Sequence, residues 1–183
     1  MPSETIAIVA PTANTTELAD AKSLILTMLE EAEAKEKNCA ETICSGLKAI
    51  GLAAKDLHYR AKGSASYSEH LLADLAWQIE KLTDDFIEVY YMGDKGWDPP
   101  LMGGIYRMAD NWLMEHSASQ EPDAKPSTEY WAARLLSACE AVISQTEVAK
   151  EVLNKKAGTQ AVLDDISKQV LQVVGLLKQN LKA

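Results

Sequence analysis

LADAKSLILTMLEEAEAKEKNCAETICSGLKAIGLAAKDLHYRA, residues 18–61, decides the fold. Its apolar positions Ile25, Leu29, Ala32, Cys39, Ile43, Leu47, Ile50, Ala54, Leu57 and Ala61 recur in steps of three, four and seven. That spacing traces one face of a helix with 3.6 residues per turn and predicts a single long helix over about Leu18–Ala61. Gly63 is placed to stop it. Gly46 and Gly51 either weaken its interior, by about 1 kcal/mol each relative to Ala, or mark close helix contacts.

Three further helical patterns follow. One runs from the 63–69 turn to about Met92, with a stripe of Leu72, Leu75, Ile79, Leu82, Phe86 and Tyr90. Ser127 opens the next, which carries Glu129 in its first turn and Leu135, Cys139, Val142, Ala149 and Leu153 on its face. Lys155 and Lys156 suit its C-terminal dipole, and Gly158 is expected to close it. The last starts at Thr159 and carries Leu163, Ile166, Val170, Val173, Leu177 and Leu181.

Between the two pairs, residues 93–126 hold GDKGWDPPLMGG, where two prolines and four glycines preclude regular helix, and a short helical pattern over 105–116. A connection of this length can travel along a bundle, as a one-crossover topology requires. Residues 1–16 read as an arm. The expectation is an all-α, single-domain protein over 1–183, a four-helix bundle with an extra helix in the connection between helices two and three.

Composition agrees. The chain is 47% hydrophobic with a single Phe, which favours aliphatic helix packing over a β-sandwich. A formal net charge of −9 argues against DNA as a partner and suits attraction of metal cations. No apolar run reaches the roughly 18 residues of a membrane span. Cys39, Cys44 and Cys139 lie within helical patterns and outside CxxC spacing, so reduced thiols and a cytoplasmic location are expected. Motifs for a Ser hydrolase, a P-loop or a dinucleotide fold are missing from the sequence. Trp97, Trp112 and Trp131 read as anchors for the connection or for a neighbour.

Helix two has a second organised face. His70, Trp77 and Asp84 are spaced by seven, Glu88 follows Asp84 by four, and together they project opposite the stripe through Ile79. A carboxylate pair at i, i+4 lets two side chains reach one ion, and Glu80 extends the row. With His58, this gives the imidazole–carboxylate mixture expected for ferrous iron or another divalent metal. The bland reading is a solvated acidic face on which Lys81 pairs with Asp84 or Asp85. His116 is a further candidate ligand, more readily a surface residue.

HYRAKGSASYSEH (58–70) followed by LTDDFIE (82–88) resembles the iron-oxidation motif of Dps-type miniferritins. The last helix, GTQAVLDDISKQVLQVVGLLKQNL (158–181), is similar to that of related ferritin-like proteins. The resemblance implies metal ligands at His58, His70, Asp84 or Asp85, and Glu88, the histidines from one subunit and the carboxylates from another. It implies a non-haem iron ferroxidase, iron storage and oxidative-stress protection, and a homo-oligomer, at least a dimer and by family a dodecamer.

Strict family spacing from His70 selects Asp85 and then Val89; a one-residue shift recovers Asp84 and Glu88. The Lys-rich tail that such proteins use on DNA is absent from the sequence, and so is ExxH. The alternative is a non-catalytic helical scaffold that uses the helix-two face to dimerise.

Overall fold

The computed structural model describes residues 15–61, 66–116, 127–153 and 156–181, without the side chains of 15–18, 66, 67 and 116. Every regular element among them is helical: α1 Thr15–Arg60, α2 Ser66–Ile79, α3 Leu82–Phe86, a π-helical segment Ile87–Lys95, α4 Met102–His116, α5 Thr128–Val152 and α6 Ala157–Asn180. No strand occurs among the described residues. The chain divides into two compact units, Met1–Lys35 and Glu36–Ala183.

The first unit contributes a stretch of α1. Leu24, Ile25, Leu26, Met28 and Leu29 are all more than half exposed there, and Ala32 is exposed as well. The expectation that Ile25, Leu29 and Ala32 are core positions is therefore corrected. Among the described residues of this unit the helix has no second surface on which to bury a stripe.

The second unit holds the core. From Ile43 to Gly51 every residue of α1 is buried, Ser45 and Lys48 included. A helix enclosed on all sides needs small residues where neighbours come close, and Gly46, Ala49, Gly51 and Ala53 supply them. A Cβ at Gly46 would lie 2.8 Å from Val142 of α5 and 3.5 Å from the Trp112 ring of α4. Amphipathic periodicity alone assigned α1 one buried face; α4 and its neighbours cover more of it. Burying each of Ile43, Leu47, Ile50 and Leu57 contributes about 1.5–3 kcal/mol.

α5 and α6 pack along each other, α6 also meets α2, α3 and the π-helical segment, and α4 rests on α5. Leu135, Cys139, Val142, Ala149 and Leu153 of the third pattern are all buried, as are Leu163, Ile166, Val170, Val173 and Leu177 of the fourth. Leu75 and Leu181 are each 37% exposed, against expectation. Leu75 lies with Leu71 and Leu176 along an open groove between α2 and α6.

Helix two is not continuous. The backbone N–H groups of Glu80, Lys81 and Thr83 bond three residues back, to Trp77, Gln78 and Glu80, so the helix tightens and breaks at Glu80–Lys81. It then widens into the π-helical segment, which runs past the expected end at Met92 to Lys95. Gly96, at φ +64°, ends it in the left-handed region, and the N–H of Trp97 reaches Tyr91 O at 2.8 Å.

α4 begins at Met102, three residues ahead of the expected start. Ser127 caps α5 as expected, its Oγ accepting from the Tyr130 N–H at 3.3 Å. α5 ends at Val152, so Gly158 does not close it but sits in the first turn of α6. A Cβ there would meet Val89 Cγ1 at 3.3 Å, so the glycine allows α6 to approach the π-helical segment. Lys156 stands at the start of α6, its Nζ donating to Asp94 O at 2.6 Å, while Lys155 lies outside the described residues.

Candidate metal centre

His58 lies in the last turn of α1 and His70 near the start of α2. Their rings meet edge to face, with centroids 4.7 Å apart and planes at 72°. Asp74, one turn beyond His70, brings Oδ1 to 3.0 Å from His58 Nδ1. The distance suits an ion pair, yet the approach lies off the direction a hydrogen bond requires, and His58 Nδ1 and His70 Nδ1 are both buried without a hydrogen-bond partner. Two neighbouring imidazole nitrogens in that condition are the donors a divalent transition metal would take.

The corner is held firmly. Asp56, half a turn before His58, meets Arg134 of α5 at 3.3 Å and Arg60 at 4.0 Å. The Arg60 guanidinium lies 4.3 Å from the centre of the buried Trp131 ring, with Arg134 at 5.5 Å. Trp131 thus anchors the helix end that carries His58, and Trp112 is buried beneath α4. Trp97 packs edge-on to Tyr90 and Tyr91, at 6.0 and 6.2 Å.

The expected carboxylates lie elsewhere. Asp84 and Asp85 are on α3 and Glu88 in the π-helical segment, all exposed. Among the described residues no three His, Cys, Asp or Glu side chains form an ion-binding group, so Asp84, Asp85 and Glu88 do not join His58 and His70 within one chain. The helix type changes between Asp84 and Glu88, so they are not an i, i+4 pair on one regular α-helix. The His116 side chain lies outside the described residues.

Glu80 does not extend the acidic row. It turns inward and is 13% exposed, with Oε2 at 3.3 Å from Lys55 Nζ, Oε1 at 3.5 Å from Lys48 Nζ, and Oε1 accepting the Tyr106 hydroxyl at 2.9 Å. Burial works against its charge, but the Tyr106 hydrogen bond and the two ammoniums outweigh that and hold its carboxyl below the ordinary value. The same hydrogen bond raises Tyr106. Asp84 takes Lys48 at 3.7 Å, and Lys81 donates instead to Gln78 Oε1 at 3.0 Å.

Asp74 and Asp56 were not singled out by sequence reasoning, and Glu80 was placed on the outward acidic row. Asp74 had a signal, since it follows His70 by four. The inward turn of Glu80 had a signal only in combination with Gly51, which clears space for its carboxylate.

Comparison with family models, curated proteins and solved structures gives no match for this chain.

Proposed function

We propose that the chain is a ferritin-like subunit that binds and oxidises ferrous iron, working in the cytoplasm as a Dps-like homo-oligomer. In this reading α1, α2 with its continuation, α5 and α6 are the four bundle helices and α4 is the added one. The observation that carries it is the His58–His70 pair, with two buried, unpartnered imidazole nitrogens and Asp74 beside them.

Ferrous iron is the substrate. The imidazoles offer it nitrogen ligands of intermediate softness, and the neighbouring Asp74 carboxylate adds a negative charge that favours the ferric product. Two ferrous ions supply the two electrons that reduce one hydrogen peroxide, with two protons, to two waters. Asp84, Asp85 and Glu88 are exposed, so a second copy could reach them, which is how the ligand set would be completed. The acidic surface draws cations toward the site.

The test is peroxide-driven oxidation of ferrous iron by wild type and by a His58→Ala/His70→Ala variant, followed by absorbance, with assembly size measured by light scattering. A large loss of rate in the folded variant is expected; equal rates sink the reading. Another divalent metal that binds at the same residues without turnover would keep the site and remove the oxidation.

A second reading is a non-catalytic scaffold that dimerises through α2. It is favoured by the exposed Leu71, Leu75 and Trp77 on that helix. A histidine-independent dimer would select it.

A further inference from the structure

A cleft of about 360 Å³ opens where α2 breaks, lined by Lys48, Trp77, Gln78, Glu80, Lys81 and Asp84. That is the lower end of the roughly 300–1,000 Å³ of small-molecule sites and suits a single-ring ligand. The cleft and its edge gather three cations (Lys48, Lys55 and Lys81) against two carboxylates (Glu80 and Asp84). The lining itself balances two cations against two carboxylates, in a chain whose net charge is −9.

The cations are loosely engaged. Lys48 is only 4% exposed, yet its Nζ finds Glu80 O at 3.3 Å, Glu80 Oε1 at 3.5 Å and Asp84 Oδ1 at 3.7 Å. Charge-assisted bonds run at about 2.7–2.9 Å, so all three contacts of this buried ammonium are long. Lys81 pairs with no carboxylate among the described residues; its partner is the neutral Gln78 amide. Beside them stands the Trp77 indole, 43% exposed, with Lys55 Nζ 4.9 Å from its centre.

We propose that this cleft binds a small organic anion, a monocarboxylate carrying a flat apolar group. Its carboxylate lies between Lys48 and Lys81 and its apolar group rests against Trp77. The Lys81 ammonium, bonded only to a neutral amide, offers one charge to a monoanion, while Glu80 and Asp84 repel a dianion such as phosphate. A cation is excluded by the buried ammonium. The indole supplies the apolar area that an inorganic anion would leave unused. The site needs none of His58, His70 or Asp74, so it does not rest on the iron reading.

The experiment is calorimetric titration of the full-length, metal-free protein with benzoate as probe, and with benzylamine and inorganic phosphate as controls. Lys81→Ala and Trp77→Ala alter exposed side chains and are checked for folding by circular dichroism. Saturable benzoate binding with a Kd of about 1 mM or tighter is expected, in the range single-ring ligands reach. Each variant is expected to weaken it by about fivefold or more, the scale of a lost charge-assisted hydrogen bond or aromatic contact. Absence of saturable benzoate binding overturns the proposal. So does benzylamine or phosphate binding as well as benzoate, or benzoate binding that neither variant changes.

Discussion

Gly51 and Glu80 occupy one space: a Cβ on Gly51 would lie 3.0 Å from both Cβ and Cδ of Glu80, closer still to its carboxylate. The glycine in α1 is thus a receptor for a side chain from the break in helix two. Gly51→Ala gains about 1 kcal/mol of helix propensity but forces a clash costing about 1–3 kcal/mol. Urea unfolding is expected to show net destabilisation in the wild-type background. In a Glu80→Ala background the same substitution is expected to be neutral or stabilising. Equal effects in the two backgrounds would show that the two residues are not coupled.

Glu80 also sets an acid sensitivity. Its carboxyl is held below its ordinary 4.5 in the folded chain, so the folded state binds fewer protons than the unfolded one around that pH. Its contribution is therefore fully present above about pH 4.5 and is lost as pH falls through the folded value. Glu80→Gln is expected to lower stability at pH 7 by about 2 kcal/mol, because it leaves the buried Lys48 with less compensation. The difference from wild type should shrink as pH drops below 4.5. Thermal melts across pH 3–7 check it; a constant difference counts against it.

The start of α6 is tied down by a distant residue. Lys156 provides no side-chain cap, while Asp94, mostly buried at the end of the π-helical segment, accepts from Thr159 Oγ1. The carboxylate also complements the positive end of the helix dipole. Asp94→Ala is expected to cost about 1–2 kcal/mol and Asp94→Asn less, since the amide oxygen still accepts. Hydrogen exchange should locate the loss in the first turn of α6.

The three cysteines should separate by reactivity. Burial, with a smaller push from Glu41, raises the Cys44 thiol to about 12, and burial raises Cys139 further. Only the thiolate reacts, and at pH 8 both are almost wholly protonated. Cys39 is half-buried. Under native conditions an aromatic disulfide reagent is expected to label Cys39 first, with Cys44 and Cys139 following at the rate of unfolding. Peptide mass spectrometry assigns the order, and rapid labelling of Cys139 would contradict it.

How far the sequence could be read depended on how local each determinant is. Periodicity is local, so the helices and most core positions from Ile43 onward were legible, and so was the Ser127 cap. Enclosure is not local: nothing in the pattern around Ile25 and Leu29 distinguishes a stripe with a partner from one without. Nor does it say that Ser45 and Lys48 are buried. At the break, Glu80 meets Lys48, Lys55 and Tyr106, which are tens of residues away in sequence. At the candidate centre the resemblance had paired the two histidines, and the end of α1 and the start of α2 do bring their rings together. The carboxylates were assigned from α-helical spacing, and that spacing does not hold beyond Phe86.

The π-helical segment leaves a mark on ancestry. A wider turn accommodates an extra residue without lengthening the helix by a full step, so such segments tolerate single-residue insertions better than the α-helix around them. A relative one residue shorter between Ile87 and Lys95 could run the same path as ordinary α-helix. It would then present the residue aligned with Glu88 from a different side. Alignments should place their gap there, and any inherited carboxylate should be sought by position in space, since its count from His70 will not be preserved.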